Sequence, residues 1–206
     1  MRNLPVFDAL KSLYGEGGFA LYMVGGATRD FCLGRSFDDY DFATDALPEE
    51  SLSLLPNADA SFKRFGTIKT KILSCSCDIT TLREEGDYSD YRHPRFIKFV
   101  KSPFLDSKRR DFTINALYLD KDYKILDFHG GLKDLNDKII RFIGDPYKRI
   151  QEDPLRIVRA ERFEKLLGFS LEKETKKAME TLRPLLKEIR REKILEERKK
   201  GWKGKI

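Results

Sequence analysis

Cysteine, histidine and long apolar runs are all scarce in this chain of 206 residues. Three cysteines, Cys32, Cys75 and Cys77, are too few for a disulfide framework and predict reduced thiols. With only His93 and His129 beside them, a zinc site is not expected. No apolar run approaches the roughly 20 residues that span a bilayer, and the N-terminus has no signal-type apolar core. These absences predict a cytoplasmic protein without a membrane anchor.

The basic excess of the chain lies entirely toward its C-terminus. The net charge is +6. Residues 171–206 hold 13 Lys and Arg against 7 Asp and Glu, whereas residues 1–170 hold 27 of each sign. A basic tail beside a neutral region suits an RNA backbone as the partner. A solvated, charge-laced helix with a lysine-rich end explains the same pattern, so both interpretations stay open.

Apolar periodicity divides the chain into a mixed first part and a helical second part. Alternating runs rich in β-branched and aromatic residues predict strands, and apolar residues at helical spacing predict helices. Strands are predicted at residues 19–24, 39–44, within 61–82, 96–100, 113–119 and 138–142. Helices are predicted at residues 5–14, 26–33, from 48 to about 56, and from about 146 to near 200. The pattern predicts an α+β head over residues 1–143, followed by two or three helices within residues 144–206.

The most informative stretch is LYMVGGATRDFCLGRSFDDYDFAT, residues 21–44. Asp39 and Asp41 stand two positions apart in a strand-like run, so both carboxylates fall on one face. Two carboxylates on one rigid face can hold Mg²⁺ through oxygen. Gly25 and Gly26 open a predicted helix, where backbone N–H groups can approach an anion. Together these parts predict a phosphate cradle and a metal site, the equipment of nucleotidyl transfer. An aspartate-rich turn is the alternative.

Four motifs, taken in order, resemble one enzyme family. The Gly-Gly turn and the Asp-x-Asp pair are followed by RRDFTINAL at residues 109–117, GDP at 144–146 and EDPLRIVRAERF at 152–163. This order is similar to that of the bacterial-type (class II) tRNA nucleotidyltransferases and the related bacterial poly(A) polymerases. The resemblance implies a nucleotidyltransferase head of the DNA polymerase β type, with a mixed β-sheet, over residues 1–143 and a helical neck over residues 144–206. It implies two Mg²⁺ ions on Asp39 and Asp41. It also implies template-independent addition of CMP or AMP, from CTP or ATP, to the 3′ end of tRNA.

The resemblance also implies roles for residues outside the Asp-x-Asp pair. Contacts to the triphosphate and sugar are assigned to five residues: Gly25, Gly26, Arg29, Arg110 and Asp111. Arg29 and Asp30 can instead pair with other residues on the helix surface. Asp78 precedes a TTLR stretch, where related proteins often have a carboxylate, and would be a third catalytic carboxylate that serves as general base or metal support. A solvent-facing aspartate at a strand edge is the alternative for Asp78.

The EDPLRIVRAERF segment bears on the choice of nucleotide. On a continuous helix Asp153 and Arg156 would share a face, with Arg159 at its edge. A carboxylate beside a guanidinium offers an acceptor and a donor fork that match the edge of a base. By resemblance, Asp153 and Arg156 would read the incoming ATP or CTP with support from Glu152. Arg159 and Arg162 would make further nucleotide contacts. An N-cap aspartate before a proline, followed by salt links, explains the segment without any ligand.

Two local features bear on the product. FGT, at residues 65–67, resembles the tRNA nucleotidyltransferases more than the poly(A) polymerases. The loop REEGDYSDYRHP, at residues 83–94, resembles the flexible loop of CCA-adding members and has its full length, which disfavours a CC-only enzyme. Addition of CCA or of the terminal A is therefore the expected activity. A poly(A) polymerase, or a nucleotide- or RNA-binding module without full activity, is the alternative.

Members of this family are usually considerably longer, because helical domains that grip tRNA follow the head and neck. The shorter chain is consistent with a fragment, or with a minimal enzyme whose basic tail replaces those domains. It is also consistent with a protein that needs a second chain or self-association. The expected partners are the tRNA 3′ end, ATP and CTP, together with a second copy or a second chain.

Overall fold

The structure is a computed structural model that describes residues 4–86 and 96–200. Within these ranges, nine α-helices lie at Pro5–Glu16 (α1), Gly25–Cys32 (α2), Pro48–Leu54 (α3), Pro103–Ser107 (α4), Gly131–Asp137 (α5), Pro146–Glu152 (α6), Leu155–Leu167 (α7), Lys173–Leu182 (α8) and Arg191–Lys199 (α9). Ten strands lie at Leu21–Val24 (β1), Asp39–Thr44 (β2), Thr67–Ile72 (β3), Cys75–Thr81 (β4), Arg83–Glu85 (β5), Ile97–Phe99 (β6), Leu117–Leu119 (β7), Ile125–Asp127 (β8), Ile139–Ile140 (β9) and Ser170–Leu171 (β10). Short 3₁₀ turns lie at Lys63–Phe65, Thr113–Asn115 and Arg183–Glu188.

Six strands form one mixed sheet in the order β3-β4-β2-β1-β7-β8. Strands β2 and β4 run parallel, and the other neighbours in this sheet are antiparallel. The predicted α+β fold with a mixed sheet is confirmed. Two further pairs, β5 with β6 and β9 with β10, are separate two-stranded sheets.

The described residues fall into two compact units. The first contains residues 4–85, 97–109 and 115–128. The second contains residues 86, 96, 110–114 and 129–200. The chain therefore passes between units several times, and each unit is described by itself below.

Helix α1 packs on one face of the six-stranded sheet to form the main core of the first unit. The Phe7 ring stacks on that of Phe42, with centroids 6.0 Å apart, and both residues are at most 1% exposed. Tyr40 and Phe42 point to this face because strand side chains alternate. Burial of each such aromatic ring contributes roughly 2–3 kcal/mol, so this layer fixes the register of β2.

The second unit has its own aromatic core. Phe112 stacks on Phe142 with centroids 4.8 Å apart and meets Phe163 edge-on at 5.6 Å. Backbone hydrogen bonds from Thr113 to Arg141 and from Ile143 to Asp111, both 3.0 Å, hold residues 111–113 beside 141–143. This pairing assigns the RRD segment to the second unit from Arg110 onward.

Three predicted elements are wrong in detail. Residues 113–115, predicted as strand, form a 3₁₀ turn, and only Leu117–Leu119 is extended. Arg83–Glu85, predicted as part of a loop, is a strand because it pairs with Ile97–Phe99. The region predicted as wholly helical is interrupted at Ser170–Leu171, because Gly168, at φ +68°, ends α7 and turns the chain toward β9.

Most of the predicted flexible loop, residues 87–95, lies outside the described residues. No helix in the described ranges combines the length and apolarity that a membrane crossing requires.

Candidate active site

Asp39 and Asp41 lie on one exposed face of β2, as predicted. Their neighbours Tyr40 and Phe42 alternate with them and are buried in the core on the opposite face. The aromatic side chains thus anchor the strand, and the alternation forces both carboxylates toward solvent.

Gly25 is adapted to Asp41 in two ways. Its φ is +67°, a left-handed conformation that residues with a side chain rarely adopt. A Cβ atom at this position would also lie only 2.8 Å from Oδ2 of Asp41. Val24 pairs with Asp41 across β1 and β2, so the register brings the start of α2 against this carboxylate. The backbone N–H groups of the first turn of α2 therefore begin beside Asp41 and are of the kind that bind anions.

Asp78 lies in register with Asp41 on the neighbouring parallel strand, so both side chains are on the same face. We call Asp39, Asp41 and Asp78 the carboxylate face. Asp78 forms an ion pair with Lys69, with 2.6 Å between Nζ and Oδ2, and both side chains are about 40% exposed. Its charge is thus already matched within the chain.

Arg29 is buried against residues of the first unit. Nε and Nη2 donate to the two carboxylate oxygens of Asp30 at 2.9 and 2.8 Å, and Nη1 donates to Oδ1 of Asn115 at 2.9 Å. Arg29 is 5% exposed. Arg29 is thus paired within the chain, but with its neighbour Asp30 and with Asn115 rather than with residues on the helix surface. The contact of Arg29 with a triphosphate stays a prediction.

The predicted helical face of Asp153 and Arg156 is wrong. Helix α6 ends at Glu152, and Asp153 is extended, with φ −151° and ψ 98°. The physical reason is Pro154, which disfavours helical geometry in the residue before it and ends one helix before the next begins. Asp153 instead caps α7, because its Oδ1 accepts the N–H of Leu155 at 3.0 Å. The backbone N–H of Arg156 donates to the carbonyl of Asp153 at 3.1 Å, so the two residues are still neighbours in this turn.

Arg156 is held by Glu152, the predicted supporting residue, and by the backbone carbonyl of Arg149. Its Nη1 donates to Oε2 of Glu152 at 2.7 Å and to the carbonyl of Arg149 at 2.6 Å. Glu152 also forms an ion pair with Arg149, whose Nη2 donates to the carbonyl of Arg110 at 2.7 Å. We call Arg149, Glu152 and Arg156 the arginine cluster. Sequence analysis missed Arg149, although it lies three residues before Glu152, which is a spacing that favours a pair on one helix turn.

A second set of ion pairs, the Glu197 network, joins Asp111, Arg159, Arg162 and Glu197. Nε of Arg159 donates to Oδ2 of Asp111 at 2.8 Å, and Nη2 of Arg162 lies 2.9 Å from Oε1 of Glu197. The negative charge of Asp111 raises the pKa of Arg159, although burial opposes this. Glu197 is only 2% exposed. Burial alone would raise the pKa of Glu197, but the hydrogen bond from Lys200 and the charges of Arg159 and Arg162 lower it. Sequence analysis missed Glu197 because it lies within the basic tail.

The described residues contain no group of three or more His, Cys, Asp or Glu side chains arranged to hold a metal ion. On the carboxylate face, Asp39 and Asp41 are the two exposed carboxylates of β2. Mg²⁺ commonly takes one or two protein carboxylates and completes its shell with substrate phosphates and water. Asp39 and Asp41 therefore fit a Mg²⁺ ion that binds together with the substrate better than one that is enclosed by protein ligands alone.

Comparisons with known proteins identify the family of this chain. The model of the poly A polymerase head domain matches residues 21–141. The chain is 42% identical over 205 residues to a CCA-adding enzyme of Bacillus licheniformis, a match that covers 100% of this chain and 51% of that protein. The chain thus spans about half the length of such relatives.

Solved structures give the same result. The crystal structure of the Bacillus stearothermophilus CCA-adding enzyme in complex with CTP superposes with a TM-score of 0.88 at 35% identity, over 97% of this chain and 49% of that one. A tRNA nucleotidyltransferase complexed with a primer tRNA and an incoming ATP analog superposes with a TM-score of 0.74 at 31% identity, over 91% of this chain and 54% of that one. The predicted nucleotidyltransferase head is confirmed. Since the family model covers more than half of the chain, the chain belongs to the poly A polymerase head domain family.

Proposed function

We propose that this chain transfers CMP or AMP from CTP or ATP to the 3′-hydroxyl of a tRNA without a nucleic-acid template, in the cytoplasm. The observation that carries the proposal is the approach of Gly25 to Asp41, where a Cβ would lie 2.8 Å from the carboxylate. This approach joins a helix start that suits phosphate to a strand that suits a cation. Nucleotidyl transfer requires both on one face.

The reaction forms a bond between O3′ of the RNA and the α-phosphorus and breaks the bond from that phosphorus to the bridging oxygen of pyrophosphate. Two Mg²⁺ ions, held by Asp39 and Asp41, would supply positive charge to the attacking oxygen and to the pyrophosphate. Gly25 and Gly26 present backbone N–H groups to the triphosphate, with Arg29 beside them. Asp78, next to Asp41 in register, is the candidate to accept the 3′-hydroxyl proton or to support the metal site.

The second unit is proposed to choose the base. Asp153 and Arg156 offer an acceptor and a planar donor fork to the Watson–Crick edge of CTP or ATP, and Glu152 orients the fork. Arg110 and Asp111 hold the sugar and phosphates. The ion pair from Glu152 supports this role because a guanidinium with a fixed orientation discriminates better than a mobile one. Arg159 and Arg162 are proposed as further nucleotide contacts.

A poly(A) polymerase is the second candidate, favoured by the description of the family model itself. The FGT stretch and the relatives named CCA-adding enzyme favour the tRNA enzyme. The assignment of residues 1–143 to the head and 144–206 to the neck stays a prediction. So do association with a second copy of this chain and association with a second chain that supplies tRNA-binding domains.

The test is incorporation of single labelled triphosphates with Mg²⁺ into tRNA transcripts that end before CCA, after C and after CC, beside an oligo(A) primer. Addition that stops at CCA, or at one terminal A, supports the proposal. Unbounded addition of A to the primer supports the poly(A) polymerase. Binding of ATP and CTP without any incorporation would contradict both and indicate a binding module.

A further inference from the structure

Arg149 contacts four residues of the proposed nucleotide site: Arg110, Glu152, Asp153 and Arg156. Its side chain forms the ion pair with Glu152 and donates to the carbonyl of Arg110 at 2.7 Å. Its own carbonyl accepts Nη1 of Arg156 at 2.6 Å and the N–H of Asp153 at 3.4 Å. All these residues belong to the second unit, and Arg149 is 8% exposed.

We propose that Arg149 is a positioning residue for base choice, which acts on the incoming nucleotide through Glu152 and Arg156. The proposal rests on the proposed function of this site. Arg149 itself is assigned no contact with the nucleotide.

The chemistry of the cluster gives the reason. Oε2 of Glu152 accepts from both Arg149 and Arg156, so one carboxylate oxygen sets the position of two guanidinium groups. Arg156 alone has several rotatable bonds, and its donor fork selects a base only when its plane is fixed. The hydrogen bond from Nη2 of Arg149 to the Arg110 carbonyl fixes the Arg149 guanidinium, and this in turn fixes its ion pair with Glu152. Without the Arg149 side chain, Glu152 keeps its charge and its bond to Arg156 but loses the second of the two partners that fix its position.

This arrangement predicts that loss of Arg149 affects nucleotide selectivity and KM separately from kcat. Substitution of Arg149 should blur the choice among triphosphates and raise KM for CTP and ATP, while kcat at saturation changes little. Lysine can keep the ion pair with Glu152, but its single ammonium cannot reproduce the guanidinium fork that serves two acceptors. Arg149→Lys should therefore retain more selectivity than Arg149→Met.

The experiment measures equilibrium binding and incorporation of CTP, ATP, GTP and UTP by the full chain with Mg²⁺, at a temperature where each variant is fully folded. Arg149→Met should lower discrimination against GTP and UTP by about tenfold, with Arg149→Lys intermediate. Arg141→Met is the matched control, since Arg141 is an arginine of the same unit that pairs with Asp134 at 3.0 Å, outside the cluster. It should lose stability without losing selectivity.

The double variant Arg149→Met with Arg156→Ala decides whether Arg149 acts through Arg156. Selectivity equal to that of Arg156→Ala alone is the expected result. A further loss in the double variant, or unchanged selectivity in Arg149→Met while Arg156→Ala loses it, would overturn the proposal. Failure of the proposed function looks different, because the unaltered chain would then show no selective binding or incorporation at all.

Discussion

Asp39 and Asp41 in the first unit are exposed on a strand, whereas Arg149 and Arg156 in the second unit are buried among acidic and carbonyl partners. Like charges gathered on an open face are stabilised by a cation that arrives with the substrate. Buried charges must instead be paired within the chain, and the pairing fixes their geometry. We infer from this comparison that the proposed metal site in the first unit receives charge, whereas the proposed base-reading site in the second unit presents a rigid pattern of donors.

Removal of the charge on the carboxylate face should have the largest effect. Asp39→Asn with Asp41→Asn should lower incorporation by at least about 10³-fold, because the cation loses its protein ligands. The melting temperature should stay close to that of the unaltered chain, since both side chains are exposed. Asp122→Asn, an exposed aspartate in the turn before β8, is the control and should keep full activity. Unchanged incorporation in the double variant would refute the metal assignment.

Gly25→Ala should have the next largest effect, because it combines backbone strain with a clash at Asp41. We expect a rate loss of about 10²-fold and a loss of roughly 1–2 kcal/mol in the free energy of unfolding. Gly18→Ala is a matched control, since Gly18 has φ +81° but no atom within 4 Å of the added Cβ. Gly18→Ala should lower the free energy of unfolding through backbone strain but leave the rate of incorporation unchanged. Equal rate losses in both variants, measured by single-turnover incorporation, would contradict a specific link between Gly25 and Asp41.

Arg156→Ala should change selectivity more than rate. Loss of its donor fork should lower discrimination among the four triphosphates by roughly 10- to 100-fold, as expected when hydrogen bonds to a base edge are removed. Competition between labelled CTP and unlabelled GTP measures the effect. Arg183→Ala, which breaks an exposed pair with Glu161, should leave discrimination intact. Retained discrimination in Arg156→Ala would refute its role as a base reader.

The smallest effect is expected in the Glu197 network, and it should depend on pH. The folded pKa of Glu197 is lowered below its usual 4.5, so its contribution to stability is present above that value and is lost as the pH falls through the folded pKa. Glu197→Gln should cost roughly 1–3 kcal/mol of unfolding free energy at pH 7, since Arg162 loses a charged partner. The difference between variant and unaltered chain should shrink below pH 4.5.

Glu196→Gln is the control for this effect, because Glu196 is exposed on the same helix. Denaturant unfolding at several pH values measures both variants. A cost for Glu197→Gln that stays constant with pH would show that the ionised carboxylate is not what stabilises the network.

Local pattern predicted the elements that carry the carboxylate face. The bounds of β2 match residues 39–44, because aromatic residues alternating with aspartates allow one register only. The helix after Gly25 was predicted because glycine marks a turn that other residues cannot make. The strand and the start of the helix depend on residues that are close in the sequence, and they can therefore be predicted from it.

Contacts between distant segments were not predictable in the same way. The pairs of Lys69 with Asp78 and of Glu197 with Arg162 depend on strand register and helix packing, which charge patterns alone do not specify. For Asp153, helical periodicity favoured a face shared with Arg156, whereas Pro154 favoured the alternative of a cap before the helix, and the backbone restriction imposed by proline was decisive. The spacing of Arg149 to Glu152 indicated a pair on one helix turn, but the contacts of Arg149 with the carbonyl of Arg110 and of its own carbonyl with Arg156 depend on the fold.

The proposed roles place nucleotidyl transfer on the carboxylate face and selection of the base on the arginine cluster. The most direct test of this division is equilibrium binding of the four triphosphates, with Mg²⁺, to the Asp39→Asn, Asp41→Asn variant. We predict that this variant binds CTP and ATP in preference to GTP and UTP while it incorporates none of them. Loss of that preference, or incorporation at the rate of the unaltered chain, would contradict the assignment of chemistry to the carboxylate face and of base choice to the arginine cluster.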